Sequence, residues 1–168
     1  MKGALIDLMN QDTQELFHNF TAVIRELAVL AGDIATVEER KAEAAVQKRH
    51  QLFDGFIQKE QAQILKLRGL EQRRIRMAKE LGWESLTFRQ ILEKAEPEQK
   101  ESLSPLFAEL EQNLKRLGQS RQSAERIIKV RIREIETAIS RTQGGSYDNG
   151  GSAGPNAPMH NKMKDTYV

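Results

Sequence analysis

The feature that most limits the folds open to this chain is a regular spacing of apolar side chains between residues 53 and 81. Members of this set recur at helical spacing and are Phe53, Ile57, Ile64, Leu67, Leu70, Ala78 and Leu81. Such spacing places them on one side of an α-helix, and the Gln, Lys, Glu and Arg residues between them are good helix formers that prefer water. The pattern predicts an amphipathic helix whose apolar side needs a partner.

The end of this helix is marked by Gly82, which follows the last periodic residue. A glycine at that position commonly adopts the left-handed conformation that ends a helix. Trp83 comes next and is the only Trp in the chain. Because a large ring just past a helix end usually folds back onto its neighbours, we expect Trp83 to be a packing anchor near a corner of the fold.

Composition favours thin contacts between helices over a thick core. Only 39% of the 168 residues are hydrophobic and 5% are aromatic, whereas 30% are charged. The net charge of +2 is too small to indicate an electrostatic partner. The absence of cysteine excludes disulfides and thiolate chemistry, and no apolar run is long enough for a membrane span or a signal sequence. We therefore expect a protein that stays in the cytoplasm without stable membrane insertion.

The first part of the chain has the pattern of a coiled-coil helix. Its apolar positions alternate steps of four and three residues and are Leu16, Phe20, Val23, Leu27, Leu30, Ile34 and Val37. Beyond residue 38 the pattern thins, and two interpretations stay open. Either the helix continues into the next one, with or without a kink, or the chain turns between Gln47 and Gln51. The lack of Pro, Asn-Gly or a Gly cluster favours the continuous helix.

After Trp83, helix starts can be read from capping residues. Thr87 and Gln90 have the spacing of a capping box. Pro97 and Pro105 each suit the first turn of a helix, so one is the true start and the other lies inside. We predict helices at about 4–50, 52–81, 87–94 and 97–142. Together they make an all-α, elongated antiparallel bundle or coiled coil, residues 1–142, followed by a disordered Gly/Asn/Ser-rich tail, residues 143–168.

The last predicted helix carries the broadest apolar face. We call its second half the isoleucine stripe, which comprises Leu117, Ala124, Ile127, Ile128, Ile132, Ile135 and Ile139. A face wider than one seam can pack within its own bundle, or it can leave a strip free for a partner helix. Both interpretations can be correct along different turns of the helix.

Several motifs together resemble the FlgN-type flagellar export chaperones. They are the run KEQAQILKLRGLEQRR, the Leu-Gly helix stop, the short TFRQIL segment, the long final helix and a Gly-rich end with Tyr147. The resemblance implies a chaperone that binds the C-terminal segments of hook-associated proteins before their secretion and delivers them to the cytoplasmic domain of the export gate. It also implies that the last helix holds the client and that Tyr147 docks at the gate. We therefore predict that the isoleucine stripe is the client-binding surface.

Other functions find less support in the residues. The basic run Arg73, Arg74, Arg76 and Lys79 suits a helix C-terminus, and the basic residues of the last helix alternate with glutamates and lack stacking aromatics, so we expect no nucleic-acid partner. His18, His50 and His160 lack metal-ligand spacing, and no nucleophile motif or phosphate loop occurs. We predict no cofactor, no metal and no enzymatic activity. The main alternative is a self-associating coiled-coil adaptor, and the chaperone itself is expected to form at most a weak homodimer.

Overall fold

The computed structural model describes residues 2–143, all of whose regular structure is helical. The elements are α1 (Lys2–Val46), a 3₁₀ turn (His50–Leu52), α2 (Phe53–Glu80), α3 (Phe88–Lys94) and α4 (Pro97–Gln143). The predicted all-α class and the four helices packed as a bundle are confirmed. The predicted tail beyond Gln143, with Tyr147, lies outside the described residues.

The favoured interpretation of one continuous helix through residue 50 is wrong. Helix α1 ends at Val46, and Lys48 has a φ of 59°, in the left-handed region. The backbone N–H of Arg49 closes the end by donating to the carbonyl of Ala44 at 2.9 Å. A lysine seldom adopts this conformation, so no residue here signals a turn. The alternative of a turn between Gln47 and Gln51 is the correct one.

The predicted stop of α2 at Gly82 is confirmed. Gly82 has a φ of 80°, and its backbone N–H donates to the carbonyl of Lys79 at 3.1 Å. The backbone N–H of Trp83 donates to the carbonyl of Ala78 at 2.7 Å. These two bonds form a Schellman motif, which satisfies carbonyls that the helix end would leave without partners.

Trp83 is the packing anchor that its position predicts. It is only 7% exposed and meets Phe17 and Phe20 edge to face, with ring centroids 6.4 and 5.6 Å apart. Phe20 also meets Phe107 of α4 edge to face at 6.5 Å. Aromatic pairs of this geometry add to the free energy of area burial, and here they join α1, the corner after α2, and α4.

Capping residues define the two helices that follow. Thr87 Oγ1 accepts a hydrogen bond from the N–H of Gln90 at 3.2 Å, and Gln90 Oε1 accepts one from the N–H of Thr87 at 2.9 Å. The predicted capping box is therefore present. Helix α4 starts at Pro97, so Pro105 is the proline inside the helix.

The directions of the long helices follow from contacts between them. Lys41 of α1 pairs with Glu60 of α2, whereas Phe20 meets Trp83 just past the end of α2, so α1 and α2 run antiparallel. Side chains of α4 contact α1 in increasing order along both helices, so α1 and α4 run parallel. The contacts are Asn113 with Ala28, Arg116 with Glu39, and Arg131 with Ala45.

The hydrophobic core lies where these helices meet. Its buried members include Ile24, Leu27, Ile34, Leu70, Ile91, Leu103, Phe107 and Leu110. The chain divides into two compact units, one ending at Arg133 and one beginning at Glu134. In the second unit the structure describes the end of α4, where Ser140 and Thr142 hydroxyls donate to carbonyls of their own helix. No helix within residues 2–143 is long and apolar enough to cross a membrane.

Candidate functional site

The isoleucine stripe begins inside the bundle. Leu117 and Ala124 are buried, and Leu117 belongs to the hydrophobic core. Ile127 and Ile128 are half-buried. The protein's own helices therefore cover Leu117 and Ala124 fully, and Ile127 and Ile128 in part.

The second half of the stripe is open. Ile132, Ile135 and Ile139 are 48%, 47% and 49% exposed. Ile132 belongs to the first unit, and Ile135 and Ile139 of the second unit are four residues apart, which places these two on one side of α4. We call these three exposed side chains the strip; Val130 and Ala138 are further exposed apolar residues near them on α4.

The strip begins one residue after Arg131, which contacts the end of α1. Arg131 donates from Nε to the carbonyl of Ala45 at 3.1 Å and from Nη2 to that of Val46 at 2.8 Å. These carbonyls belong to the last turn of α1, where they lack partners within the helix and where a cation complements the helix dipole. Helix α1 ends at Val46, whereas α4 continues to Gln143.

Polar contacts hold α4 against α1 before the strip begins. The Asn113 amide donates to the carbonyl of Ala28 at 2.8 Å. Arg116 forms a two-pronged pair with Glu39, with both N–O distances at 2.9 Å. This pair lowers the pKa of Glu39, mainly through the hydrogen bonds from Arg116. Paired donors of this kind fix direction as well as distance, so they set the register of α4 on α1.

A charged cluster lies deeper, between α1, α2 and α4. Lys41 Nζ lies 3.1 Å from a Glu38 carboxylate oxygen and 2.9 Å from Glu60 Oε2. Arg121 of α4 approaches the same two carboxylates, at 3.8 Å from Glu38 and 3.6 Å from Glu60. The cluster pairs two carboxylates with two cations, which limits the cost of removing these charges from water.

The two carboxylates of this cluster differ in their pKa. Burial, followed by the neighbouring Glu60, raises the pKa of Glu38, which is only 2% exposed. Burial also acts against the ionisation of Glu60, but hydrogen bonds from Glu38 and Lys41 outweigh it and lower the pKa of Glu60. As the pH falls, Glu38 therefore takes up a proton before Glu60 does.

Three features of the structure were not predicted from the sequence. Val130 is exposed on α4 but lies off the spacing of the stripe. The burial of Glu38 is hidden in the sequence because many charged residues surround it. The apolar residues at the start of α1 precede the seam that begins at Leu16, and all are exposed: Leu5, Ile6, Leu8 and Met9.

The remaining candidates are the histidines and Tyr147. His50 stacks on Phe53, with ring centroids 6.0 Å apart. Across residues 2–143, no group of His, Asp and Glu has the arrangement of a metal site. His160 and Tyr147 lie outside the described residues, so the predicted docking role of Tyr147 stays a prediction.

A comparison with protein families decides the broad identity of the chain. The family model described as FlgN protein matches residues 9–153. The chain belongs to the FlgN family. This family consists of flagellar export chaperones and is not an enzyme family, so the resemblance drawn from the sequence motifs is confirmed. No curated protein and no solved structure matches the chain.

Proposed function

We propose that this FlgN-family protein binds the C-terminal helical segments of hook-associated proteins in the cytoplasm. It keeps them from associating prematurely and delivers them to the cytoplasmic domain of the export gate. The observation that carries this proposal is the uncovered strip of Ile132, Ile135 and Ile139 on α4. Residues earlier in the isoleucine stripe contribute by holding α4 in the bundle.

The strip suits an amphipathic client helix. Its three side chains follow one another at helical spacing, so a second helix can lie along them as in other helix-in-groove complexes. Completing the burial of three half-exposed isoleucines contributes roughly 2–4 kcal/mol, at about 25 cal/mol per Å². Ordering of the client opposes part of this gain, so the complex is tight enough to protect and weak enough to release its client.

The test is a calorimetric titration of the full chain with the C-terminal segment of a hook-associated protein. We expect the variant Ile132→Gln/Ile135→Gln/Ile139→Gln to lose at least tenfold in affinity, because three apolar contacts are removed. The helical content should stay the same, since these side chains are exposed in the free protein.

The matched control replaces exposed isoleucines on another helix. Ile57 and Ile75 of α2 are 42% and 51% exposed, so Ile57→Gln/Ile75→Gln changes the same residue type at similar exposure. We expect its affinity for the client to equal that of the unmodified chain. Equal affinities for all three proteins would place the client elsewhere, and no binding by the unmodified chain would contradict the chaperone proposal for these clients.

The delivery step is assigned to Tyr147, following the family resemblance. The Tyr147→Ala variant should bind the client as the unmodified chain does but should secrete less of it. The two readings are made on the same variant, by calorimetry and by the amount of client outside the cell. Normal secretion would remove the docking role and leave client binding untouched.

Self-association is the rival function, and the exposed start of α1 favours it. Leu5, Leu8 and Met9 lie at helical spacing with no cover among the described residues. Sedimentation of the full chain and of Leu5→Gln/Leu8→Gln/Met9→Gln tests this. A chaperone is expected to be monomeric or weakly dimeric. An adaptor should form a stable oligomer, and the three substitutions should cause that oligomer to dissociate.

A further inference from the structure

The outward side of α2 carries a charge pattern that client binding does not use. Every exposed charged residue of α2 between Gln61 and Lys79 is a cation, and the exposed carboxylate of Glu80 follows at the end of the helix; the cations are Lys66, Arg68, Arg73, Arg76 and Lys79. The one carboxylate in this stretch, Glu71, is half-buried and accepts a hydrogen bond from Arg74 Nε at 2.8 Å. We call these five cations the α2 basic face.

Few carboxylates among residues 2–143 pair with the cations of this face. Lys66, Arg68, Arg73 and Arg76 form no salt bridge with any residue in the described range 2–143. Lys79 lies 3.9 Å from Glu84, but both side chains are largely exposed to solvent. Pairs of this kind are weak, so five exposed cations beside the one exposed carboxylate of Glu80 leave the face with a net positive charge.

The face does not follow from the composition of the chain, whose net charge is only +2. The exposed charged residues in the first part of α4 include both signs and are Glu98, Lys100, Glu101, Glu109, Glu111, Lys115 and Arg116. Cations on α2 are therefore segregated on one surface. A segregated patch attracts anions even when the whole protein is almost neutral.

Apolar side chains within the face indicate the kind of anion. Leu65 is 71% exposed and Ile75 is 51% exposed, and both lie among the cations. Single-stranded nucleic acids are held by aromatic side chains that stack on bases, and the exposed residues of this stretch include no aromatic. Aliphatic residues among Lys and Arg are instead typical of helices that lie at a membrane surface.

From this pattern we infer that the α2 basic face binds the surface of an anionic phospholipid bilayer. The five cations lie against the headgroups, and Leu65 and Ile75 enter the boundary with the acyl chains. Binding is peripheral and depends on salt, because the attraction falls off within a Debye length. The inference does not depend on the proposed function, since no client residue takes part.

The experiment measures binding of the full chain, without client, to vesicles in a flotation assay. One set of vesicles contains phosphatidylglycerol and phosphatidylethanolamine in equal parts, and the other contains phosphatidylcholine alone. We expect binding to the anionic vesicles at low salt, loss of that binding at high salt, and none to the neutral vesicles. Absence of binding to anionic vesicles at low salt would overturn the inference.

The deciding variant is Arg68→Gln/Arg73→Gln/Arg76→Gln. Each cation near an anionic surface is worth about fivefold in partitioning, so we expect a loss of about 100-fold. The matched control is Arg25→Gln/Lys100→Gln/Lys115→Gln, which removes three exposed cations from α1 and α4. If both variants lose vesicle binding equally, binding depends only on the net charge of the protein, which contradicts a site on α2.

Two further measurements separate the lipid from other anions. The variant Leu65→Gln/Ile75→Gln keeps every charge and is expected to bind anionic vesicles severalfold more weakly. Unchanged binding would contradict the insertion of these two side chains. The full chain is also titrated with a random oligonucleotide. If it binds the oligonucleotide more tightly than the vesicles, and the three arginine substitutions abolish that binding, the partner is nucleic acid and the lipid assignment is wrong.

Discussion

Glu38 shows how a single side chain in this bundle depends on its surroundings. It lies almost fully buried on α1 and shares Lys41 and Arg121 with Glu60. Burial raises its pKa above the usual 4.5 in spite of these cations. The folded protein therefore binds this proton more tightly than the unfolded chain. The stability that Glu38 contributes is complete below pH 4.5 and is lost as the pH rises through its folded pKa.

This gives a prediction for the Glu38→Gln variant. At pH 7 the variant should have a higher free energy of unfolding than the unmodified chain, because it removes a buried charge while Lys41 keeps its contact with Glu60 at 2.9 Å. The difference should shrink below pH 4.5, where Glu38 is already protonated. Urea unfolding at several pH values measures both effects.

Glu39 is the control because its pKa shifts in the opposite direction. Its pKa is lowered by Arg116, so its contribution is present above pH 4.5 and is lost as the pH falls through the folded value. Glu39→Gln should therefore lower stability at pH 7, by a small amount because the pair is exposed. If Glu38→Gln also lowered stability at pH 7, the cations would outweigh the burial of Glu38.

At the scale of elements, the end of α2 is set by one glycine. Gly82 adopts a φ of 80°, and a Cβ built there would meet no atom within 4 Å. Gly69, within α2, has equally open space but an ordinary helical conformation. The two positions therefore differ in backbone conformation and not in packing.

Alanine substitutions at these two glycines should have opposite effects. Gly82→Ala forces an L-residue into the left-handed region and is expected to lower the free energy of unfolding by about 1 kcal/mol. Gly69→Ala should raise it by up to about 1 kcal/mol, because alanine is the better helix former. Both are measured by urea unfolding, and a loss of stability in Gly69→Ala would contradict the open space seen around it.

The helix ends show what the sequence predicts well. The stop at Gly82, the anchor Trp83 and the capping box of Thr87 and Gln90 each depend on residues within one turn of each other, so their signals are local. The end of α1 depends on Lys48 in a left-handed conformation that lysine rarely adopts. No residue there demands a turn, and for that reason the sequence pattern favours a continuous helix.

At the scale of the molecule, the parallel pairing of α1 and α4 decides which surfaces are free. An ideal Cβ on Gly32 would lie 3.3 Å from Asn113 Nδ2 and 3.6 Å from Asn113 Cγ, so the two helices come close at this point. The Asn113 amide uses this closeness to reach the carbonyl of Ala28. The pair Gly32 and Asn113 therefore reports directly on the register of α4 against α1.

A cross-link tests this register. The chain has no cysteine, so in the variant Gly32→Cys/Asn113→Cys no native thiol competes, and a low protein concentration favours the intramolecular disulfide. We expect it to form under mild oxidation and to change mobility on a non-reducing gel, since disulfides need Cβ atoms roughly 3.5–4.5 Å apart. The control Gly32→Cys/Gly69→Cys, with Gly69 exposed on α2, should stay reduced. Equal oxidation of both pairs would contradict the parallel register.

The candidate surfaces could be predicted from the sequence only in part. The isoleucine stripe follows from spacing, but its division into a buried and an open half depends on which turns of α4 other helices cover. The α2 basic face was hidden for a similar reason. The sequence shows Arg73 and Arg76 near a helix end, whereas their exposure beside Leu65 and Ile75 depends on which side of α2 packs inward.

The parallel pairing also has a consequence for how the chain acquires its structure. Asn113 bonds a carbonyl 85 residues earlier in the chain, and Arg131 bonds one 86 residues earlier. Contacts so distant along the chain form slowly, because a long loop must close before they add stability. During synthesis α1 emerges long before α4, so core side chains such as Leu27 and Ile34 are then without their final neighbours. The newly synthesised chain thus exposes, until α4 packs against α1, the kind of apolar helix face that its proposed clients carry.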